Sequence, residues 1–89
     1  LKMTDEAGDD AKLLAVPVDK LTTMYRNVTS PRDLPQIVLD QISHFFAHYK
    51  DLEPGKFVNV VGWVDAEEAK KEIMAGVQAY NDAKEKPAF

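Results

Sequence analysis

The spacing of apolar residues changes twice between residues 33 and 80, which limits the chain to a fold that mixes helices with a sheet. Residues 38–52 place apolar side chains three or four positions apart, the spacing of one helical face. Residues 56–64 (KFVNVVGWV) are instead rich in β-branched and aromatic side chains, which is typical of a strand. A second stripe with helical spacing follows, and it consists of Ala69, Ile73, Val77 and Tyr80.

An aspartate stands before each of the predicted helices. Asp33 lies three residues before Gln36, and Asp65 lies three residues before Glu68, which is the spacing of a capping box. We expect Pro35 in the first turn of the first helix, where proline is tolerated. The apolar face of that helix is predicted to consist of Val38, Ile42, Phe45, Tyr49 and Leu52.

The beginning of the chain predicts two strands joined by a turn. Residues 1–4 are interpreted as the end of a strand, and residues 4–10 as a turn around Gly8. Residues 11–18 (AKLLAVPV) form an apolar run that is too short for a helix and is stopped by Pro17. A second strand is therefore predicted over residues 11–18.

The predicted order is strand, strand, helix, strand, helix, which is an α+β unit. Three strands do not close a barrel, and two amphipathic helices need a surface to cover, so we expect the unit to be incomplete. Leu1 stands where an initiator methionine would be, and we expect a fragment whose N-terminal partner is missing. Trp63 and Phe57 are interpreted as core residues, and residues 84–89 are expected to fray.

Composition narrows the class of protein further. The 89 residues suggest one domain with a thin stability margin. A formal net charge of -4 argues against general nucleic-acid binding, because such proteins neutralise phosphates with a basic surface. The chain contains no cysteine, which excludes disulfides and thiolate metal sites. The apolar runs are too short to span a bilayer, and a cytoplasmic location is expected.

The densest cluster of charge is the acidic turn near the N-terminus (KMTDEAGDDAK). Gly8 allows a tight bend there, so the carboxylates of Asp5 and Asp10 could converge on one point. Such oxygens, with water completing the shell, suit Mg²⁺ rather than zinc. Lys12 shares a strand face with Asp10, which suits a phosphate with its magnesium. Acidic clusters in short loops are usually solvated surface, so both interpretations stay open.

Two further candidates lie on the first helix. Tyr49 and Lys50 stand at its C-terminal end, where Lys50 and Lys56 could reach an anion, although the helix dipole alone also favours a lysine there. His44 and His48 share a helix face, a spacing that can chelate a transition metal. The glutamate of a metalloprotease motif is absent beside them and no third ligand is evident, so surface or subunit-contact histidines are favoured.

Three blocks of the sequence, in their order and separation, resemble a known family. They are KMTDEAGDDAKLLAVP, DLPQIVLDQISHFFAHYKDLEPGKFVNVVGW and the helical segment EAKKEI. The blocks resemble the soluble family I inorganic pyrophosphatases, specifically the C-terminal half of the bacterial enzymes. The resemblance implies that residues 1–89 are the C-terminal portion of a single pyrophosphatase domain. It also implies part of an OB-like five-stranded β-barrel flanked by two α-helices, incomplete in this chain.

The resemblance implies roles for the residues of the acidic turn. Asp5 and Asp10 match carboxylates that ligate Mg²⁺ on the pyrophosphate side of the family's site. Glu6 matches an active-site acid whose part is less direct, and Lys12 matches a lysine near the metals and phosphate. Glu6 and Lys12 are therefore the expected catalytic residues, and both aspartates are the expected metal ligands.

The same resemblance implies roles for the end of the first helix. Tyr49 and Lys50 match a pair that holds a phosphate of the substrate. His44 and His48 match positions near subunit contacts in the hexameric bacterial members. A homo-oligomer with contacts near these histidines is therefore expected.

The family reaction hydrolyses pyrophosphate to two phosphates, with Mg²⁺ ions that activate a water and neutralise the leaving phosphate. The family's other aspartate cluster, of the form DGDPLD, does not occur in this chain. We therefore expect the chain to need the missing N-terminal half of the same enzyme and to be inactive alone. The alternative is a non-catalytic helical and strand interaction module that associates through the face formed by His44 and His48.

Overall fold

The computed structural model describes residues 1–87, which form a small antiparallel sheet and two α-helices. In chain order the elements are β1 (Lys2–Asp5), β2 (Gly8–Asp9), a 3₁₀ helix (Pro31–Asp33), α1 (Gln36–His48), β3 (Val58–Gly62) and α2 (Ala66–Asp82). The α+β class is confirmed, and so are both predicted helices and the strand between them. Of the segment 84–89 that is expected to fray, residues 88–89 lie outside the described part of the chain.

β1 is the central strand of the sheet. The strand order is β2–β1–β3, and both neighbours run antiparallel to β1. Thr4 lies opposite Asp9 on one side and opposite Asn59 on the other. The strand predicted at residues 1–4 is therefore confirmed, and it aligns the start of the chain with a segment more than fifty residues later.

The strand predicted over residues 11–18 is wrong. The backbone there does begin beside β1, since the amide of Lys12 donates to the carbonyl of Leu1 at 2.9 Å. Residues 13–18 then lie beyond the end of β1, and no strand of the described chain stands opposite them to continue the ladder. Pro17 also lacks a backbone N–H. The second strand is instead β2, which falls inside the predicted turn.

The capping box predicted at Asp33 for the first helix is also wrong. The Asp33 carboxylate accepts hydrogen bonds from the backbone amides of Thr29 and Ser30, both at 3.0 Å, and so belongs to the 3₁₀ helix. Leu34 precedes a proline and is extended, with ψ of 155°, because the proline ring disfavours helical backbone before it. α1 therefore begins after Pro35, which offers no side-chain cap.

α1 packs on the sheet through a face that shares only Ile42 with the predicted one. Leu39 is its buried residue, and Ile42 and Phe46 are half-buried beside it. Of the predicted face, Phe45 is exposed, and Leu52 lies beyond the end of the helix and is 97% exposed. Both faces carry apolar residues at helical spacing, so periodicity alone does not decide which of them docks.

α2 begins as predicted but leaves its apolar stripe exposed. The Asp65 carboxylate accepts the Glu68 amide at 3.1 Å, which confirms the predicted N-cap. Ile73 and Val77 of the stripe are each 48% exposed. Phe57 is exposed too, so its interpretation as a core residue is wrong: it precedes β3 instead of lying within the sheet.

The core of the described chain is small. The buried apolar residues are Leu1, Met3 and Leu39. Trp63 is half-buried just after β3, and its indole N–H donates to the Ser43 hydroxyl of α1 at 3.0 Å. Within residues 1–87, no helix is long and apolar enough to cross a bilayer. The few buried residues agree with the thin stability margin expected from the length.

Replacing Leu39 with alanine should lower the free energy of unfolding by about 2–5 kcal/mol, because buried methyl groups are lost and a cavity remains. Ile37→Ala is the matched control on the same helix, since Ile37 is 62% exposed. This control should change the free energy by less than about 0.5 kcal/mol. Urea unfolding measures both variants, and equal losses would mean that α1 does not dock through Leu39.

Candidate active site

The pleat of β1 places the predicted metal ligands on one face of the sheet. Side chains alternate along a strand, so Leu1, Met3 and Asp5 point to the same side. Asp10 lies opposite Met3, and its amide donates to the Met3 carbonyl at 2.9 Å. Lys12 lies opposite Leu1, and residues opposite each other in an antiparallel pair share a face. The aspartates and the lysine therefore lie on the face that holds the buried residues, below α1.

The turn between β1 and β2 is shaped by Gly8 and Asp5. Gly8 has φ of 114°, a backbone conformation that residues with a Cβ rarely adopt. One carboxylate oxygen of Asp5 accepts the Ala7 amide at 2.8 Å and so orders the turn. The other oxygen, Oδ2, accepts a hydrogen bond from the Lys50 ammonium.

A lysine just beyond α1 binds both acids of this turn. Lys50 Nζ lies 3.0 Å from Asp5 Oδ2 and 3.1 Å from Glu6 Oε1. The Lys50 and Asp5 side chains are only 13% and 10% exposed. A turn follows the helix, in which the Asp51 amide donates to the His48 carbonyl at 3.0 Å. The fold thus joins a proposed phosphate-binding lysine to two acids that lie more than forty residues away along the chain.

A second ion pair joins Asp10 and Lys12, whose side chains lie 3.0 Å apart. The prediction that these two residues share a strand face is consistent with this contact. Lys12 Nζ also lies 5.6 Å from the centre of the Phe46 ring on α1. This cation–π contact brings the second ion pair against α1, which ends just before Tyr49 and Lys50.

Aromatic rings hold Tyr49 at the end of α1. The Tyr49 ring stacks on Phe45, with ring centres 5.4 Å apart and planes at 23°. It meets Phe46 edge to face, with centres 5.5 Å apart and planes at 89°. Lys50 Nζ lies 5.7 Å from the centre of the Tyr49 ring. The structure therefore brings Asp5, Glu6, Asp10, Lys12, Tyr49 and Lys50 together as two ion-paired groups beside one aromatic cluster.

Electrostatic contacts within the cluster shift the pKa values of three groups. The hydrogen bond from Lys50, followed by that from the Ala7 amide, lowers the pKa of the Asp5 carboxyl. Glu6 has its pKa lowered by its own backbone amide and also by Lys50. The pKa of Lys50 is raised, mainly by its hydrogen bond to Asp5. All three groups are therefore charged at neutral pH.

The two histidines lie apart from this cluster. The His44 and His48 rings have centres 4.5 Å apart, and His48 Nδ1 lies 2.9 Å from an Asp51 carboxylate oxygen. Both histidines are exposed on α1. Lys56, the other lysine considered as an anion ligand, pairs with Glu53 at 3.0 Å.

Sequence reasoning missed Phe46 as part of the site. The signal was present in HFFAHYK, where Phe46 precedes Tyr49 by three residues, a spacing at which helical side chains meet. Its contact with Lys12 had no such signal, because it depends on how α1 docks on the sheet.

The donor atoms of the cluster suit a hard cation. They are carboxylate oxygens, which Mg²⁺ prefers, and no thiolate is available. In the described residues, no group of three or more histidine, cysteine, aspartate or glutamate side chains is arranged to hold a metal ion. Asp5 and Asp10 each carry an ammonium group at 3.0 Å, so both carboxylates already bind positive charge. These carboxylates fit Mg²⁺ in kind but are too few to enclose it.

Comparison with known proteins identifies the family. The family model for inorganic pyrophosphatase matches residues 1–81. The chain belongs to the inorganic pyrophosphatase family. It is 54% identical over 83 residues to the inorganic pyrophosphatase of Caulobacter vibrioides and 58% identical over 78 residues to that of Escherichia coli K12. These matches cover 93% and 88% of this chain but only 47% and 44% of the relatives.

Solved structures agree with this membership in the inorganic pyrophosphatase family. The inorganic pyrophosphatase of Helicobacter pylori matches with a TM-score of 0.84 and 44% identity, over 90% of this chain and 47% of that protein. The inorganic phosphatase of Anaplasma phagocytophilum matches with a TM-score of 0.83 and 50% identity, over 88% of this chain and 46% of that one. The chain thus spans less than half the length of the relatives it matches.

The ion pair of Asp5 should appear in the pH dependence of stability. Because the folded pKa of Asp5 is lowered, its contribution is present above the unfolded pKa and is lost as the pH falls through the folded value. Between about pH 5 and pH 2, the free energy of unfolding should therefore fall less in Asp5→Asn than in the wild type. Lys50 stays charged across this range because its pKa is raised. Chemical denaturation at each pH measures the difference.

The control for this experiment is Asp9→Asn, an exposed acid in the same hairpin. Lys50 bonds Asp5 and Glu6, so the control should keep the wild-type dependence on pH. A curve for Asp5→Asn that coincides with the wild-type curve would contradict the stabilising role of the ion pair.

Proposed function

We propose that this chain is the C-terminal portion of a single inorganic pyrophosphatase domain and supplies part of a site that hydrolyses pyrophosphate to two phosphates. Family membership suggests the reaction. The observation that carries the proposal is the convergence of the acidic turn with Lys50, within 3.0–3.1 Å, on the sheet face below α1. A fold can host many functions, so the proposal rests on this site and not on the fold alone.

In this proposal Tyr49 and Lys50 bind a phosphate of the substrate. Lys50 is a compact cation, and its ammonium can exchange carboxylate oxygens for phosphate oxygens. Before the substrate binds, the Glu6 and Asp5 carboxylates hold the Lys50 ammonium in place. Lys12 stabilises phosphate oxygens as negative charge develops on them. Glu6 and Lys12 are thus the proposed catalytic residues.

Asp5 and Asp10 are the proposed ligands of Mg²⁺. When bound, Mg²⁺ supplies a water of lowered pKa and neutralises charge on the leaving phosphate. The two carboxylates lie on one sheet face, and each now bonds a lysine. Their oxygens would become available to a metal if Lys50 and Lys12 bonded substrate phosphate instead.

We propose that the remaining ligands come from the N-terminal part of the relatives, which this chain does not span. That part would complete an OB-like five-stranded β-barrel. In the described residues β3 pairs with β1 alone, which leaves one edge of the sheet open. A groove of about 500 Å³, lined in part by Leu13, Leu14 and Trp63, adds apolar surface that water disfavours. Both features support a covering segment.

Assembly and location belong to the same proposal. A homo-oligomer, a hexamer as expected for bacterial members, would form contacts near His44 and His48. Both histidines are exposed, which supports their use in a contact. A cytoplasmic location is proposed with it.

The 89-residue chain alone should show no pyrophosphate hydrolysis with Mg²⁺, because the other half of the proposed ligand set is missing. Hydrolysis should appear when the N-terminal half of a relative, such as the E. coli K12 protein, is added. In the mixture, Asp10→Asn should lower the rate of hydrolysis by about 10- to 100-fold or more. Losses of that size follow even from mutating groups that only hydrogen-bond a metal ligand. Asp9→Asn should retain the activity.

Phosphate release from pyrophosphate measures these activities, and size-exclusion chromatography shows whether the halves associate. Activity of the chain alone would refute the need for the missing groups. Associated halves without activity would refute the enzyme proposal and favour a non-catalytic interaction module.

Lys50 should compete with metal binding to the chain. Lys50→Met removes the ammonium that a divalent cation must displace from Asp5, so Mg²⁺ affinity should rise about three- to tenfold. Lys56→Met removes the same charge at the Glu53 pair and should have a smaller effect. Isothermal titration with Mg²⁺ measures both. An equal change in the two variants would indicate only a change of net charge.

A further inference from the structure

We infer that Phe46 is a positioning residue of the proposed site, which fixes the Lys12 ammonium and the Tyr49 ring relative to each other. The inference rests on the proposed function, since phosphate binding is what makes their relative position matter. Phe46 would contact no substrate atom itself. It would act through the two residues that do.

The geometry joins three separate parts of the chain. Lys12 follows β2, and its Nζ lies 5.6 Å from the centre of the Phe46 ring. Tyr49 caps α1, and its ring meets the same ring edge to face at 5.5 Å. Asp10 also bonds Lys12, at 3.0 Å. One aromatic ring therefore sets the separation between a cation of the sheet and a phenol of the helix.

An aromatic ring suits this position better than an aliphatic or acidic side chain. The ring face carries negative partial charge and attracts an ammonium within about 6 Å of its centre. Unlike a second carboxylate, it orients the ammonium without neutralising its charge. Lys12 would thus keep its charge for a phosphate oxygen. A leucine would fill similar space but would not attract the cation.

Phe46 is also the ring that is anchored to the core. It lies on the docked face of α1, seven residues after Leu39, and is half-buried. Phe45 stacks on Tyr49 from the exposed side of the helix. The position of Phe46 is therefore fixed by packing on the sheet, and it transmits that position to both of its neighbours.

The matched variants are Phe46→Leu, which removes the ring; Phe46→Tyr, which restores a ring face; and Phe45→Leu. The last removes a ring that meets Tyr49 and Phe46 but makes no cation–π contact with Lys12 in the described residues. The first readout is the NMR shift of the Lys12 side-chain methylene protons next to Nζ. The ring should move these protons upfield in the wild type, in Phe46→Tyr and in Phe45→Leu. The shift should disappear in Phe46→Leu. Unshifted Lys12 protons in the wild type would overturn the inference without any variant.

The second readout is the binding of inorganic phosphate to the 89-residue chain in the presence of Mg²⁺, measured by titration calorimetry. Phe46→Leu should weaken binding about two- to fivefold, the effect expected from a partly exposed cation–π contact. In a Lys12→Met background the same substitution should weaken binding less, because only its effect through Tyr49 remains. Equal losses in both backgrounds would reduce Phe46 to a packing residue and overturn the inference.

The two readouts separate this inference from the proposed function. An intact Lys12 shift without any phosphate binding by the wild type would overturn the phosphate-binding roles that the proposed function gives to this chain, and the positioning role with them. Phosphate binding that is insensitive to Phe46→Leu would overturn the positioning role alone.

Discussion

The pairing of β1 with a strand on each side is the constraint on which both the core and the site depend. Alternation along this strand points Leu1 and Met3 into the core and Asp5 to the same face. A slip of one residue in register would turn all of these side chains to the opposite face. The buried apolar residues and the acidic cluster are therefore parts of one strand pattern, and neither can be displaced without the other.

The ion pairs between sheet and helix explain how the acidic turn is tolerated. Its neighbouring carboxylates repel one another, and Lys50 offsets part of that repulsion by bonding Asp5 and Glu6. The side chains of the Lys50–Asp5 pair are largely buried. Charge–charge attraction is stronger in such a site than at an exposed surface. In the proposed function, the same lysine leaves these carboxylates for phosphate. The contact that stabilises the fold would thus also keep the Lys50 ammonium positioned for phosphate before the substrate binds.

Local sequence signals predicted some elements and failed at others for definite reasons. The N-cap at Asp65 and the β-branched strand β3 follow from short-range rules, and both are confirmed. The strand over residues 11–18 failed because strand formation requires a partner, and no strand of the described residues lies opposite residues 13–18. The cap at Asp33 failed because the proline after Leu34 keeps that residue extended.

The sequence by itself determined both helices and the strand between them, the inorganic pyrophosphatase family and the residue types of the site. These features depend on neighbours along the chain and on long motifs. The tertiary structure decided which residues meet. It paired Lys50 with the acidic turn, placed Lys12 on the Phe46 ring and chose the face of α1 that contains Leu39. These contacts join residues far apart in the chain, and their geometry is set by strand register and helix docking, which no local pattern specifies.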